Sequence, residues 1–254
     1  MTQIGLCSVT FREKTPSQII KLAKASGLDT IEWAGDVHVP IGYLDVAQSV
    51  GQETRQAGLT VAAYGSYYYA GQGENFSPYI ETALALETKR IRIWTNKMNR
   101  HKVVGAINDD TFQVVVRDIK QACRLAKQAD SSIHLECHQG TYTDSIVSSL
   151  KLIQSVDEPN LYLYWQPLSY LSQSERIAHI KSLGPYLTNC HVFHWDADYN
   201  RYPLEDGVSE WQDYIDAIQT YSPHQTDYLI EFVKDNDSKL FIRDAQTLRK
   251  LLSR

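Results

Sequence analysis

Eight times along this chain a short apolar run rich in β-branched or aromatic residues gives way to a longer stretch patterned for a helix. The runs fall at residues 3–9, 29–35, 59–66, 89–95, 131–137, 160–166, 186–195 and 227–233. The helical stretches include 17–27, 43–58, 110–129, 143–156, 172–184, 208–221 and 238–253; the first opens on a serine cap, and the first two stop at a glycine. Strict strand–helix alternation demands parallel strands joined by helical crossovers. Eight such units in 254 residues match the size of a (β/α)8 barrel. The expected fold is therefore α/β, a single TIM barrel spanning 1–254 as one domain. A doubly wound open sheet competes, but no GxGxxG follows the first run, which disfavours a dinucleotide-binding version.

Composition narrows the function classes. With 25 Lys+Arg against 30 Asp+Glu the net charge is −5, a poor basis for general binding to nucleic acid. No window approaches ~18 uninterrupted apolar residues, so no membrane span is expected. The start, MTQIGLCSVTF, has neither a basic segment nor a long apolar one, so no signal peptide is expected. Cys7, Cys123, Cys137 and Cys190 are scattered and form no CxxC, as suits free thiols in a reducing cytoplasm.

In a barrel of this kind the site is built at the carboxyl ends of the strands. The second run supplies Glu32, Trp33 and then His38. The third supplies Tyr64, Tyr67 and Tyr68, and the fourth Trp94. The fifth ends in Glu136 and His138, the sixth in Trp165 and Gln166. The seventh brings His191, His194 and Asp196, and the eighth Glu231. Two carboxylates, an imidazole and an amide oxygen on four successive strands can form an oxygen-rich seat for a divalent cation. The donor set favours Mn²⁺, Mg²⁺ or Co²⁺, with Zn²⁺ possible. The plain alternative for Glu136 is an ion pair with a neighbouring Lys or Arg. For Glu231, a carboxylate inside the apolar LIEFV, burial itself demands a partner.

The segments IEWAGDVHVP (31–40), RIRIW (90–94), HLECHQGTYTD (134–144), LYWQP (163–167), CHVFHWD (190–196) and LIEFV (229–233), in that order at strand ends, resemble the xylose-isomerase-like barrel superfamily. That group contains sugar phosphate isomerases and epimerases and the second family of abasic-site endonucleases. The resemblance implies metal ligands Glu136, Gln166, His191 and Glu231. Gln166 departs from the pattern: the family commonly has Trp-Asp-Pro where this chain has Trp165-Gln166-Pro167, so the position keeps an oxygen and loses a charge. The implied activity is a metal-dependent isomerase or epimerase of a small sugar, sugar phosphate or polyol-like acid. Glu136 and Glu231 would move the proton next to a polarised carbonyl.

His38, His138 and His194 are candidate contacts for substrate hydroxyls. Trp94, Trp165 and Tyr67 are candidate pocket walls, and Arg201 a candidate clamp for a carboxylate or phosphate. The expected partner is a small carbohydrate-like molecule, neither nucleic acid nor membrane. Two other functions compete. One is a lyase of the dehydroshikimate dehydratase type on the same scaffold, distinguished by an unsaturated product. The other is a barrel that binds a small ligand without turnover, distinguished by failure to retain a cation.

Overall fold

The computed structural model describes residues 2–96 and 109–253. Among them, eight parallel strands close into a barrel: β1 (Ile4–Cys7), β2 (Thr30–Ala34), β3 (Thr60–Tyr69), β4 (Arg90–Trp94), β5 (Ser132–Glu136), β6 (Leu161–Trp165), β7 (Leu187–Val192) and β10 (Asp227–Ile230). A small antiparallel hairpin, β8 (His194–Trp195) and β9 (Arg201–Tyr202), rises between β7 and β10. The ring closes where Ile4, Gly5 and Leu6 pair with Tyr228, Leu229 and Ile230. Helices α1 (Pro16–Ala25), α2 (Leu44–Gln56), α3 (Ser77–Ala85), α4 (Asp109–Gln128), α5 (Ile146–Val156), α6 (Gln173–Leu183), α7 (Val208–Tyr221) and α8 (Ser238–Leu252) connect the strands. None is long and apolar enough to cross a membrane.

Local chemistry sets the helix ends. Thr15, and not the serine expected at residue 17, caps α1 reciprocally with Gln18, since the helix already begins at Pro16; Ser172 and Glu175 cap α6 in the same way. Gly27 (φ +70°) and Gly58 (φ +77°) end the first two helices in the left-handed conformation that a side chain would strain. Three other expectations are corrected. α3 lies outside the expected helical stretches, because SPYIETALA buries Tyr79, Ile80, Thr82 and Ala83 and lacks a polar stripe to betray its period. α5 starts at Ile146 rather than 143, because Ser145 is its cap while Thr143 turns back to donate to the Glu136 carbonyl. The seventh run does not continue to Trp195: β7 stops at Val192, and His194–Trp195 belong to the hairpin.

Along a strand, side chains alternate between two environments. One set, including Ile91, Ile93, Ile133, Leu135, Leu163 and Trp165, packs against the helices in the main core. The other set points into the barrel. Its middle is apolar, with Cys7, Ala63, Tyr164 and Leu229 in contact. At the amino end of the strands it is polar: Arg90 pairs with Asp227 at 2.7 Å, and His134 bonds Ser132 and Thr188. At the carboxyl end it is charged, and there the cavity opens.

Candidate active site

A cavity of about 780 Å³ sits over the carboxyl ends of the strands. Aromatic residues wall it: Tyr67 and Trp94 on one side, Phe193, Trp195, Tyr199 and Phe232 on the other. Its polar groups are Arg12, Asp36, Arg92, Glu136, His138, Gln139, Gln166, Ser169, Arg201 and Glu231. The hairpin of β8 and β9 matters here, because it carries Trp195 and Arg201 back over the opening.

Three ligand-type side chains converge at the floor. Glu136 ends β5, His191 lies in β7, and Glu231 follows β10. One donor atom from each lies within 4.8 Å of the others. His191 Nδ1 stands 3.5 Å from Glu231 Oε2 and 3.7 Å from Glu136 Oε1. These gaps are too long for good hydrogen bonds, and among the described residues both nitrogens of this fully buried ring lack a hydrogen-bond partner. Two ligands of one first-row cation, each at ~2.1 Å, lie roughly 3.0–3.4 Å apart. A contraction of a few tenths of an ångström would bring each carboxylate to that spacing from His191, and the donor set, two carboxylates and an imidazole all within 4.8 Å of one another, fits a cation.

The residue that sequence reading missed is Arg92. It shares a strand face with Trp94, two positions on, and is buried between two carboxylates. Its Nε donates to Glu32 Oε1 at 2.9 Å, and its Nη1 donates to Glu136 Oε2. The guanidinium also stands 5.4 Å from the Trp94 ring centre and 5.9 Å from that of Tyr67. Gly65 makes the room: a Cβ there would meet Glu32 Oε1 at 2.7 Å and Arg92 Nη2 at 2.9 Å. The alternation of RIRIW was the available signal, since it puts Arg90, Arg92 and Trp94 on one face.

This arrangement splits the two carboxylates electrostatically. Burial alone would raise Glu136, but Arg92 and His191 outweigh it and hold the group down to about 2. Burial raises Glu231 to about 7; His191 opposes the rise, and the charge of Glu136 adds to it. For His191, burial works against the charged form, yet Cys7, Glu231 and Glu136 around it hold its pKa well above the ordinary imidazole value. One carboxylate is a fixed anion and the other is poised near neutrality, the division expected of a proton carrier beside a binding group.

Gln166 reaches the same corner as a donor. Its Nε2 gives hydrogen bonds to the Cys137 carbonyl at 2.8 Å and to Glu136 Oε1 at 3.3 Å. The expected ligand oxygen is therefore not the atom that faces Glu136; the Cys137 carbonyl selects the amide nitrogen for that side. Tyr67, Trp94, His138 and Arg201 line the cavity. His138 packs edge-on against Trp94 at 4.9 Å, with its Nδ1 donating to the Gln139 carbonyl. Arg201 stacks over Phe232 at 4.9 Å and Trp195 at 5.4 Å, and its Nη1 donates to Asn236. Among the described residues, no carboxylate lies within ion-pair distance of it.

Three candidates do not reach the cavity. Trp165 precedes Gln166, so alternation turns it outward onto Trp211 and Tyr214. His38 is buried in a turn, with one ring nitrogen bonded to Ser8 Oγ and the other to the Lys14 carbonyl. His194 leaves with the hairpin, packs against Tyr202, and borders a separate depression with Arg176 and Glu210.

Known proteins share this architecture. A 3-dehydroshikimate dehydratase of Bacillus anthracis is 25% identical over 196 residues, covering 74% of this chain and 70% of that protein. The crystal structure of the probable 3-DHS dehydratase AsbF, involved in petrobactin synthesis in Bacillus anthracis, superposes with a TM-score of 0.77 at 18% identity, over 98% of this chain and 99% of that one. D-Psicose 3-epimerase from Clostridium cellulolyticum H10, solved with D-tagatose, gives 0.75 at 14% identity over 99% of both chains. The profile of the xylose isomerase-like TIM barrel family matches residues 20–251, and the chain belongs to that family.

Proposed function

We propose that the protein is a metal-dependent enzyme that moves a proton next to a carbonyl in a small polyhydroxylated substrate, as an isomerase or epimerase. The observation that carries this reading is the convergence of Glu136 Oε1, His191 Nδ1 and Glu231 Oε2 beneath an aromatic-walled cavity. These three would hold the cation, with Mn²⁺, Mg²⁺ or Co²⁺ suited to two carboxylate oxygens and one imidazole. A bound divalent cation supplies Lewis-acid polarisation of the substrate's carbonyl and hydroxyl oxygens.

The chain's own residues do the rest. Glu231 accepts the proton from the carbon beside the carbonyl, and the C–H electron pair moves into a carbon–carbon double bond. The carbonyl π electrons pass to oxygen. Return of the proton to the former carbonyl carbon, with the neighbouring hydroxyl's proton passing to the enediolate oxygen so that its own carbon becomes the new carbonyl, gives the isomer. Reprotonation of the same carbon on its opposite face, from solvent, with the carbonyl restored, gives the epimer. Arg92 and Gln166 hold Glu136 by both oxygens, which suits it to binding and charge balance more than to proton transfer. Trp94 and Tyr67 offer flat faces to the C–H side of a polyol, and His138 reaches its hydroxyls. Proton transfer by a positioned group is worth roughly 10²–10⁴-fold, and positioning and charge must supply the remainder.

A second reading has its own support. Among the described residues Arg201 has no carboxylate partner, and it faces the cavity between two aromatic rings, where a planar guanidinium can clamp a substrate carboxylate. With a hydroxy-keto acid, the same abstraction by Glu231 followed by loss of a β-hydroxyl as water would be a dehydration. The 25% identical relative carries the name of such an enzyme.

The test is purification without chelator, metal analysis, and incubation with ketoses, sugar phosphates and hydroxy-keto acids in D₂O. The expected result is one divalent cation per chain, with deuterium entering the carbon beside the carbonyl. Glu231→Gln should stay folded and lose that exchange. Exchange at the wild-type rate in Glu231→Gln would remove Glu231 from the chemistry. An unsaturated product would favour the dehydratase over the isomerase.

A further inference from the structure

One buried oxygen below the floor has no evident task. Glu32 gives Oε1 to Arg92, but its Oε2 is buried without a hydrogen-bond partner among the described residues. Opposite it, at 3.6 Å, stands His191 Nε2, equally buried and unpartnered. The other nitrogen of that ring, Nδ1, is the one that faces Glu136 and Glu231. The imidazole is thus spanned by carboxylates, with Glu32 alone on its far side from the cation seat.

We propose that Glu32 is a positioning residue for His191: it accepts the Nε2 proton and thereby keeps the Nδ1 lone pair aimed between Glu136 and Glu231. This rests on the cation reading above. A neutral imidazole carries one N–H, and the partner of one nitrogen decides which nitrogen remains free to ligate. Histidines that bind metals commonly pass their other N–H to a carboxylate, which fixes both ring orientation and tautomer. Here the carboxylate is itself pinned. Arg92 holds one oxygen, and the missing side chain of Gly65 leaves the pair just enough space. The 3.6 Å gap closes to hydrogen-bond length with a small rotation of either side chain.

A rival use of the same atoms exists. Cys7, Glu32 and His191 also bring donor atoms within 4.8 Å of one another, so a second cation could take Nε2 directly. One oxygen of Glu32 is already committed to Arg92, however, and the main trio already offers the harder donors.

The deciding experiment is calorimetric titration of Mn²⁺ into wild type and Glu32→Gln. In the variant the amide oxygen stays with Arg92, and its NH₂ turns toward Nε2. That drives the ring proton to Nδ1, where it blocks the lone pair. The expected outcome is one cation per chain in wild type and binding weakened roughly 10–100-fold in Glu32→Gln. Long-range ¹H–¹⁵N spectra of wild type loaded with Zn²⁺, assigned against His191→Asn, should show Nε2 protonated and Nδ1 metal-bound. This measurement decides the matter if Glu32→Gln does not fold. Equal affinity in the two proteins, two cations per chain, or a metal-bound Nε2 would each overturn the proposal. If folded wild type binds no cation, the cation reading falls and takes the role of Glu32 with it. That signature differs from equal binding in both proteins.

Discussion

Replacing Arg92 with methionine removes one charge and leaves two buried carboxylates without their partner. Methionine keeps most of the bulk and can stay against Trp94, so the change is mainly electrostatic. Glu136, held down to about 2 from an ordinary 4.5, shows how strongly the charged form is favoured in the fold. At 1.36 kcal/mol per pKa unit, that difference corresponds to ~3 kcal/mol. Breaking a buried ion pair by removing one member costs about 3–5 kcal/mol in general. Glu32 loses a hydrogen bond as well, while His191 and protonation of the carboxylates soften the effect. We therefore expect Arg92→Met to lose about 3–5 kcal/mol near pH 7.5, a large part of the ~5–15 kcal/mol typical of a whole protein. The sign follows from linkage. A depressed carboxylate stabilises above its unfolded pKa, and that stability fades as pH falls toward its folded value. The deficit should thus shrink as pH is lowered from 4.5 toward 2, the interval between the two values for Glu136. Urea denaturation with chelator present measures it. Adding Glu32→Gln and Glu136→Gln to Arg92→Met should restore most of the loss, since all three groups are then neutral. A single-variant loss below about 1 kcal/mol at pH 7.5 would mean that the pair is not the electrostatic keystone of the floor.

Three further outcomes are expected. Glu231, raised to about 7 from 4.5, gives stability that is complete below pH 4.5 and disappears as pH rises through 7. With chelator present, the urea midpoint of wild type should therefore fall more steeply across that interval than the midpoint of Glu231→Gln; parallel profiles would contradict the raised pKa. Gln166→Asp exchanges an N–H donor beside Glu136 for a negative charge, and should tighten Mn²⁺ binding by roughly ten-fold, or about 1.4 kcal/mol, while lowering cation-free stability; equal or weaker affinity on calorimetry would place residue 166 outside the cation's reach. Arg201→Ala should raise KM for an acidic substrate by roughly 10–100-fold, about 1.5–3 kcal/mol for a charged hydrogen bond, and leave kcat and neutral sugars nearly unchanged; an equal effect on both substrate types would make Arg201 a loop anchor.

The barrel was legible because a short apolar run recurs in every unit and a helical period follows it in all but the third, and the convergence of Glu136, His191 and Glu231 because carboxylates and an imidazole inside apolar runs have few innocent explanations. Arg92 lay just as openly in RIRIW, but an arginine next to strand residues reads as a solvated edge unless alternation is followed through. Alternation would also have separated Trp165 from Gln166, adjacent residues that cannot both face inward. His38 and His194 were beyond reach for another reason. Each lies past the end of its barrel strand, where a turn bonded to Ser8 and Lys14, or a two-residue hairpin, decides direction through contacts with distant parts of the chain.

Gly65 bears on how such a site could change over generations. Any side chain at 65 collides with both Glu32 and Arg92, loss of Arg92 strands two anions, and loss of either acid leaves the cation of Arg92 short of a partner. Each first step is therefore harmful, although the fully substituted floor could be stable. A lineage carrying this glycine, arginine and pair of acids sits on an isolated fitness peak. Its substrate range is free to drift through the loops above, while the four floor positions can be exchanged only together.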